Sequence, residues 1–328
     1  MQHTNQLDAA FISGKKRDKK ERSDPNSYDY SSYFANIKKY FDESHIIAAN
    51  IETTFPPPPF AGYPAFRSPK SLAEECFKSG INLFFAANNH SADAGTKGLK
   101  GTIEIYDSLG VDYTGIYESG EDEELLSPLL IEKEGFRIIF LNYTYGTNGI
   151  ATPVPYIIKR LSEEEINRDI ETAKKSLPDL ICAAVHWGEE YSLTPSGNQI
   201  KWEKFLYSKG VDIIIGSHPH VPQNIAIYRD STGTVKNITA YSLGNAISNM
   251  TAQNTRIAIM LGVTITRDTS GKIVISEPEK HLIWTARPSH SNKNYGILHI
   301  EDYLSNIEVT GKHNEHDLII RYYNKFNK

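Results

Sequence analysis

The sequence predicts an α/β fold over its first two-thirds and a β-rich last third. Two patterns support this prediction: short apolar runs of strand length, and longer segments in which apolar residues recur at helical spacing. The runs at 46–49, 81–87, 180–185 and 211–215 alternate with helical segments, so we expect largely parallel strands there. After residue 225, strand-like runs follow one another without helical segments between them.

Local signals place the ends of several elements. Ser68 is followed by a proline, which is typical of the first positions of a helix. Ser162 and Glu165 have the spacing of a capping box, in which each side chain bonds the other residue's backbone N–H. The Glu-Gly pair at 134–135 is expected to turn a hairpin between two strands.

Composition narrows the classes of function. The chain has 328 residues and a formal net charge of −5, so it has no overall basic field and we expect no nucleic-acid partner. The basic run at 15–20 contains an aspartate and is interpreted as a solvated loop. Cys76 and Cys182 are predicted to be small buried residues. No stretch has the pattern of a secretory signal or of a membrane span.

Polar clusters follow four of the predicted strands, at 50–52, 88–90, 186–190 and 216–220. The carboxyl ends of parallel strands meet at one edge of a sheet, where α/β proteins bind their ligands. A single histidine at a strand end is more often a hydrogen-bonding residue than a metal ligand. Together, however, the imidazole, carboxylate and amide groups of four clusters suit zinc, manganese or iron. The four clusters therefore predict a metal site at this edge.

Five motifs make the sequence similar to a known family. ANIETTF at 49–55, ANNHSADAG at 87–95, HWGEEY at 186–191, GSHPHVPQ at 216–223 and YSLGN at 241–245 follow the order and spacing of the CapA family of capsule-synthesis and poly-γ-glutamate biosynthesis proteins. That family resembles the calcineurin-like metallophosphoesterases. The resemblance implies a four-layer α/β/β/α sandwich of the metallophosphoesterase type, with a site for up to two divalent metal ions. It also implies one domain over 1–283 and a C-terminal extension, 284–328, that packs on the same domain.

The resemblance assigns roles to individual residues. Glu52 stands at the position of a bridging carboxylate and Asn89 at that of a metal-binding amide. His90 matches the acid that protonates the leaving group. The metal-binding histidines of the family correspond to His186, His218 and His220.

Four further residues are expected near the site. Asn50 and Asp93 are expected to support the metal ligands, although Asp93 could instead cap a helix. Asn245 is expected to line the pocket. Arg256 is a candidate clamp for an anionic group, because arginine binds carboxylate or phosphate with two hydrogen bonds; the alternative is an ordinary surface charge on a strand.

The start of the chain departs from the family pattern. Family members begin with a strand that ends in Gly-Asp-x-Met, and its aspartate binds metal. Because this sequence starts at Met1, we expect the first strand and this aspartate to be missing, through a start codon assigned too late or a truncation. The remaining ligands would then bind one metal ion well.

The resemblance implies a metal-dependent hydrolase of capsule or poly-γ-glutamate metabolism. In this hypothesis a two-metal site activates water, His90 acts as general acid, and the substrate is a phosphoester or a γ-glutamyl amide in an anionic polymer. Other capsule-synthesis proteins are expected partners, and the location is extracytoplasmic and associated with the cell envelope. The alternative is a non-catalytic assembly or export component that retains a degenerate metal site. A dinucleotide-binding protein is excluded because no glycine-rich turn follows a strand.

Overall fold

A computed structural model describes residues 1–13, 21–289, 293–310 and 313–327. The basic run at 15–20 falls outside these residues. The strands are β1 (Ala48–Asn50), β2 (Leu83–Phe85), β3 (Asp112–Thr114), β4 (Ile116–Tyr117), β5 (Leu129–Lys133), β6 (Phe136–Thr144), β7 (Ile157–Ile158), β8 (Leu180–His186), β9 (Ile213–Ser217), β10 (Ile225–Arg229), β11 (Val235–Ala240), β12 (Ile257–Gly262), β13 (Ile265–Arg267), β14 (Ile273–Ile275), β15 (Glu279–Ala286) and β16 (Gly296–His299). The α-helices are α1 (Thr4–Ser13), α2 (Lys38–Asp42), α3 (Ser71–Lys78), α4 (Gly95–Leu109), α5 (Gly120–Leu126), α6 (Glu163–Lys175), α7 (Gly197–Lys209), α8 (Ile300–Ser305), α9 (Ile307–Thr310) and α10 (His316–Phe326).

Two sheets form the body of the protein. In the smaller sheet β1, β2 and β3 pair in that order, and both pairs are parallel. The larger sheet has the order β10-β11-β9-β8-β6-β5. Its central pairs are parallel, and the outer strands β5 and β10 are antiparallel to their neighbours. The predicted hairpin at 134–135 is confirmed, because these residues turn between β5 and β6.

Alternation along the strands shows how the layers stack. In β8, the residues at even positions from Leu180 share a buried cluster with Leu83 and Phe85 of β2, so the two sheets face each other. The odd positions of β8 pack with α6 and α7 on the other side. Phe84 of β2 packs with α3 and α4. The four layers are therefore helix, sheet, sheet and helix, which confirms the predicted sandwich.

The last third adds a third sheet to this body. The antiparallel strands β12, β15 and β16 carry α8 and α10 on one face, through Ile300 and Ile319. On the other face, Ile283 and Ile297 belong to the cluster that contains the helices of the smaller sheet. The expected domain boundary after residue 283 falls inside β15. No helix within the described ranges combines the length and the apolar character needed to cross a bilayer.

Two local expectations differ from the structure. Helix α3 begins at Ser71, and the Ser68 hydroxyl lies 2.8 Å from the Thr53 hydroxyl instead of capping the helix. Ser162 does cap α6 by accepting from the Glu165 backbone N–H. The Glu165 carboxylate, however, accepts from the backbone N–H of another residue, so only half of the capping box forms. In both cases another hydrogen-bond partner replaces the expected helix end: Thr53 for Ser68, and the Arg160 backbone N–H for Glu165.

Candidate metal centre

The carboxyl ends of the parallel strands gather the predicted ligands at one edge of the sandwich. Glu52 follows β1, and its Oε1 lies 3.9 Å from His186 Nε2 at the end of β8. The same oxygen lies 4.0 Å from Nε2 of His220, which follows β9. Asn89 follows β2, and its Oδ1 lies 2.9 Å from His186 Nε2. Two neighbouring strand ends of each sheet thus contribute to a single cluster.

The three histidine rings lie close together. The ring centroids of His186 and His218 are 4.9 Å apart, and those of His218 and His220 are 5.8 Å apart. Ligands of one metal ion, or of two adjacent ions, can be bridged only when their rings lie within about 8 Å, since each bond is about 2 Å long. The observed spacing is inside that range.

The backbone at 218–220 is strained. His218 has a φ of 101° and His220 a φ of 60°, both in the left-handed region that residues with a side chain rarely adopt. Each such residue costs of the order of 1–3 kcal/mol, and strain of this kind concentrates at functional sites. The turn through Pro219 is therefore held in a costly conformation that places both rings beside the cluster.

Two buried ligand atoms have no hydrogen-bond partner among the described residues: Oε1 of Glu52 and Nδ1 of His218. A buried polar atom without a partner costs about 1–3 kcal/mol, and native proteins contain few of them. Both atoms belong to groups that bind zinc, manganese or iron. The cluster therefore fits a divalent ion in its donor chemistry as well as in its spacing.

Burial favours the neutral form of His186 and His218. Burial lowers the pKa of His186 well below its ordinary value, and the neighbouring His218 and His220 act in the same direction. Burial likewise lowers the pKa of His218 to about 4. A metal ion binds the neutral imidazole, so these rings are already in the binding form at neutral pH.

A second group of polar residues orients the ligands. Ser217 Oγ lies 2.8 Å from His186 Nδ1, and Asn245 Oδ1 lies 3.1 Å from His220 Nδ1. The Asn50 amide oxygen accepts a hydrogen bond of 3.4 Å from the amide of Asn88, the residue before the predicted ligand Asn89. Such contacts fix the direction of each ring or amide and support metal binding in proteins.

His90 is held by an acidic partner rather than by the ligand cluster. Its Nδ1 lies 2.7 Å from Asp93 Oδ2, and the same oxygen accepts the backbone N–H of Phe66 at 2.7 Å. The Phe66 ring packs edge-on against His90 with centroids 4.5 Å apart. The helix-cap alternative for Asp93 is wrong, because Ala94 is the capping residue of α4.

Arg256 is not available as an anion clamp. Its guanidinium forms a two-point ion pair with Glu315 at the start of α10, and it also donates to the carbonyl of Thr285. The guanidinium lies 4.5 Å from the centre of the Trp284 ring. The surface-charge alternative is equally wrong, because the Arg256 side chain is only 11% exposed. Arg256 attaches the C-terminal helix to the third sheet.

Some residues at this edge carried no predicted role. Glu190 Oε1 lies 4.0 Å from His220 Nε2, and ligand atoms of Glu190, His218 and His220 all lie within 4.8 Å of one another. Glu190 is in the HWGEEY motif, but the sequence does not distinguish it from Glu189. Tyr145 lies over His186 and His218, because it directly follows β6, which ends at Thr144.

His3 also lies near the cluster. Its ring packs against Phe66 with centroids 5.4 Å apart. Burial lowers the pKa of His3 to about 4, and His220 acts in the same direction. No motif in the sequence indicated this proximity.

The fold and the site define a class of protein: a layered α/β domain that gathers histidine, carboxylate and amide side chains at the carboxyl edge of its parallel strands. The model of the family described as bacterial capsule synthesis protein PGA_cap matches residues 6–250. The chain belongs to this family, as its motifs predicted.

Curated relatives cover part of the same region. The chain is 30% identical over 243 residues to a capsule biosynthesis protein CapA of Bacillus anthracis, which covers 68% of this chain and 55% of the relative. It is 27% identical over 200 residues to a PGA biosynthesis protein CapA of Bacillus subtilis, covering 60% and 50%. The chain thus spans about half the length of these relatives.

A solved structure of the calcineurin-like phosphoesterase YfkN from Bacillus subtilis aligns with 98% of this chain and 96% of its own chain. The alignment has 14% identity and a TM-score of 0.45. At these values the likeness supports no argument about the site.

Proposed function

We propose that this protein is a metal-dependent hydrolase that acts on a bacterial capsule or poly-γ-glutamate polymer or on a precursor of one. One observation carries the proposal: Oε1 of Glu52, which is buried and has no hydrogen-bond partner among the described residues, lies within 4.0 Å of imidazole nitrogens of both His186 and His220. A buried carboxylate oxygen without a hydrogen-bond partner is unfavourable, and a bound cation would provide one.

The residues that would hold the ion are those whose ligand atoms converge. They are Glu52, Asn89, His186, His218 and His220, together with Glu190, which was not predicted. This number of ligands suits one or two manganese, zinc or iron ions. A divalent ion bound there supplies Lewis-acid polarisation of the scissile group and a nucleophile at neutral pH.

His90 would supply the proton for the leaving group. The Asp93 carboxylate can only accept a hydrogen bond when ionised, so it holds the His90 proton on Nδ1. Nε2 is then the nitrogen that gains and gives up the second proton. A group positioned in this way contributes roughly 10²–10⁴-fold to the rate of such reactions.

The family supports the polymer context. The relatives in Bacillus anthracis and Bacillus subtilis are described as capsule and PGA biosynthesis proteins. We extend this role to the present chain, with other capsule-synthesis proteins as partners and a location at the cell envelope. The scissile bond is a phosphoester or a γ-glutamyl amide.

A second candidate function is a non-catalytic component of capsule assembly or export that uses the metal site for structure or for binding the polymer. The same descriptions favour it, because they name synthesis and not hydrolysis. Both candidate functions require a bound metal ion, but only the first includes catalytic turnover.

The test begins with elemental analysis of the purified protein, followed by removal of metal with a chelator and reloading with manganese, zinc or iron. Turnover is then measured on bis(p-nitrophenyl) phosphate and on γ-glutamyl-p-nitroanilide. His186→Ala is the site variant, and His45→Ala, at an exposed histidine outside the site, is the matched control.

We expect metal-dependent turnover in the wild type and in His45→Ala, and neither metal nor turnover in His186→Ala. Metal retention without turnover on either substrate would favour the second candidate. Equal metal content in the wild type and in His186→Ala would contradict both.

A further inference from the structure

Three exposed tyrosines surround the metal centre. Tyr63, Tyr145 and Tyr191, here called the tyrosine rim, are 73%, 49% and 45% exposed. A single exposed aromatic residue needs no explanation, but aromatic side chains grouped around one site are typical of ligand-binding surfaces. The grouping is therefore typical of a ligand-binding surface.

Each ring of the rim lies beside a different part of the centre. The Tyr145 ring centroid is 4.7 Å from that of His218, and the Tyr191 centroid is 6.3 Å from that of His220. Tyr63 contacts Phe66 with centroids 6.3 Å apart, and Phe66 in turn packs on the proton donor His90. Two rings of the rim thus lie against histidines of the centre, and the third lies against the residue that packs on His90.

The backbone holds Tyr191 in a costly position. Its φ is 66°, in the left-handed region, and its N–H donates to the carbonyl of Pro219 at 2.8 Å. Strain of this kind costs of the order of 1–3 kcal/mol. The strained residue is thus attached to the turn that carries His218 and His220.

The charges around the rim are negative. The carboxylates of Glu190, Glu52 and Glu189 are the charged groups that act most strongly on the Tyr145 hydroxyl, and burial together with these carboxylates raises the pKa of Tyr145. The arginines of two nearby loops have other partners: Arg67 donates to two proline carbonyls and Arg160 to two threonine hydroxyls. The rim thus suits an uncharged group better than a further carboxylate.

We infer that the tyrosine rim is a substrate subsite that stacks an uncharged ring next to the single anionic group that reacts. This inference rests on the proposed hydrolase. It favours a phosphoester attached to a sugar or aromatic ring over a γ-glutamyl chain, in which every unit carries a carboxylate that Glu189 repels.

The test uses phosphonates that the protein cannot hydrolyse. Phenylphosphonate, cyclohexylphosphonate and methylphosphonate carry the same anionic group and differ only in the ring. Titration calorimetry on the metal-loaded protein measures each Kd. We expect the two ring-bearing compounds to bind about three- to tenfold more tightly than methylphosphonate, which is the range for stacking on tyrosines. Tighter binding of phenylphosphonate than of cyclohexylphosphonate would indicate a subsite for an aromatic ring. The reverse order would indicate a subsite for a saturated, sugar-like ring.

Variants of the rim test whether its tyrosines cause the preference for ring-bearing phosphonates. Tyr145→Ala and Tyr191→Ala should remove most of it while metal content stays unchanged, and Tyr145→Phe and Tyr191→Phe should keep it. Tyr228→Ala is the matched control, because Tyr228 is similarly exposed at 42% but packs on Tyr207 away from the centre. The dipeptide γ-glutamylglutamate should bind more weakly than phenylphosphonate, and Glu189→Gln should strengthen its binding.

Equal affinity for phenylphosphonate and methylphosphonate in the wild type would overturn the inference, as would a ring preference that survives both alanine variants. The titrations require no turnover. A protein that prefers ring-bearing phosphonates through the rim yet hydrolyses nothing would overturn the proposed hydrolase and keep the subsite. Turnover combined with equal affinities for the ring-bearing phosphonates and for methylphosphonate would keep the proposed hydrolase and overturn the subsite.

Discussion

Two buried polar clusters of this protein can be compared. In the first, the ammonium group of Lys159, whose side chain is 2% exposed, donates to Glu123 at 2.6 Å and to Asp169 at 2.9 Å. The other carboxylate oxygen of Asp169 accepts the Tyr143 hydroxyl at 2.7 Å. The protein supplies both the cation and the anions of this cluster.

The histidine cluster is as deeply buried but is organised differently. Oε1 of Glu52 and Nδ1 of His218 have no partner in the described part of the chain, and two of the histidines lie on strained backbone. A polar cluster that satisfies itself stabilises the fold, whereas one that leaves ligand atoms without partners is organised to bind. This difference distinguishes charged groups that stabilise the fold from charged groups that are organised to bind, without reference to sequence motifs.

The largest expected effect comes from removing a ligand. His186→Ala should lose tightly bound metal and all metal-dependent turnover, while the free energy of unfolding of the metal-free protein changes by less than about 2 kcal/mol. The reason is that a strand-end ligand supports the ion more than the packing. Elemental analysis and denaturant unfolding after chelation test this, and a collapse of the metal-free fold would break the comparison.

Removing the proton donor should have the next largest effect. His90→Ala should lower kcat by roughly 10²–10⁴-fold with metal content unchanged, because a general acid is lost while the ligands remain. The assay needs a substrate with a poor leaving group, since a very good one requires no proton. Asp93→Asn should cause a smaller loss, and an unchanged kcat in His90→Ala would remove His90 from the mechanism.

The self-satisfied cluster should respond in the opposite way. Lys159→Met should reduce the free energy of unfolding by about 3–5 kcal/mol, because it leaves buried carboxylates without their cation. Metal content should stay at the wild-type level. Adding Asp169→Asn should recover part of the stability, and a loss of metal in Lys159→Met would show that the two clusters are coupled.

The smallest expected effect concerns the carboxylate of Asp212, which is intermediate between the satisfied Lys159 cluster and the unsatisfied histidine cluster. Burial raises its pKa to about 6, although it accepts the Ile181 backbone N–H. The folded state then binds this proton more tightly than the unfolded state, so stability falls as the pH rises from about 4 to 6. Asp212→Asn should raise Tm by a few degrees at pH 8 and have almost no effect at pH 4. An equal shift at both pH values would contradict the assignment.

Much of the fold and most of the ligand set follow from local patterns. The continuous apolar run of β8 and the polar residues that follow each strand are properties of short segments, so the layers and the positions of His186, His218 and His220 at one edge could be predicted. The same reasoning could not distinguish Glu190 from Glu189, since neighbouring residues after a strand have no fixed direction.

The sequence by itself determined the α/β architecture, the largely parallel strands whose ends carry the motifs, and the kinds of side chain at that edge. Only the tertiary structure decided that Arg256 binds Glu315, 59 residues away, that Ser68 bonds Thr53 and not a helix end, and that Tyr145 lies over the histidines. The physical reason is that ion pairs, side-chain hydrogen bonds and ring contacts form between whichever groups the packing brings within a few ångströms. Strand and helix periodicity, by contrast, is written in consecutive residues.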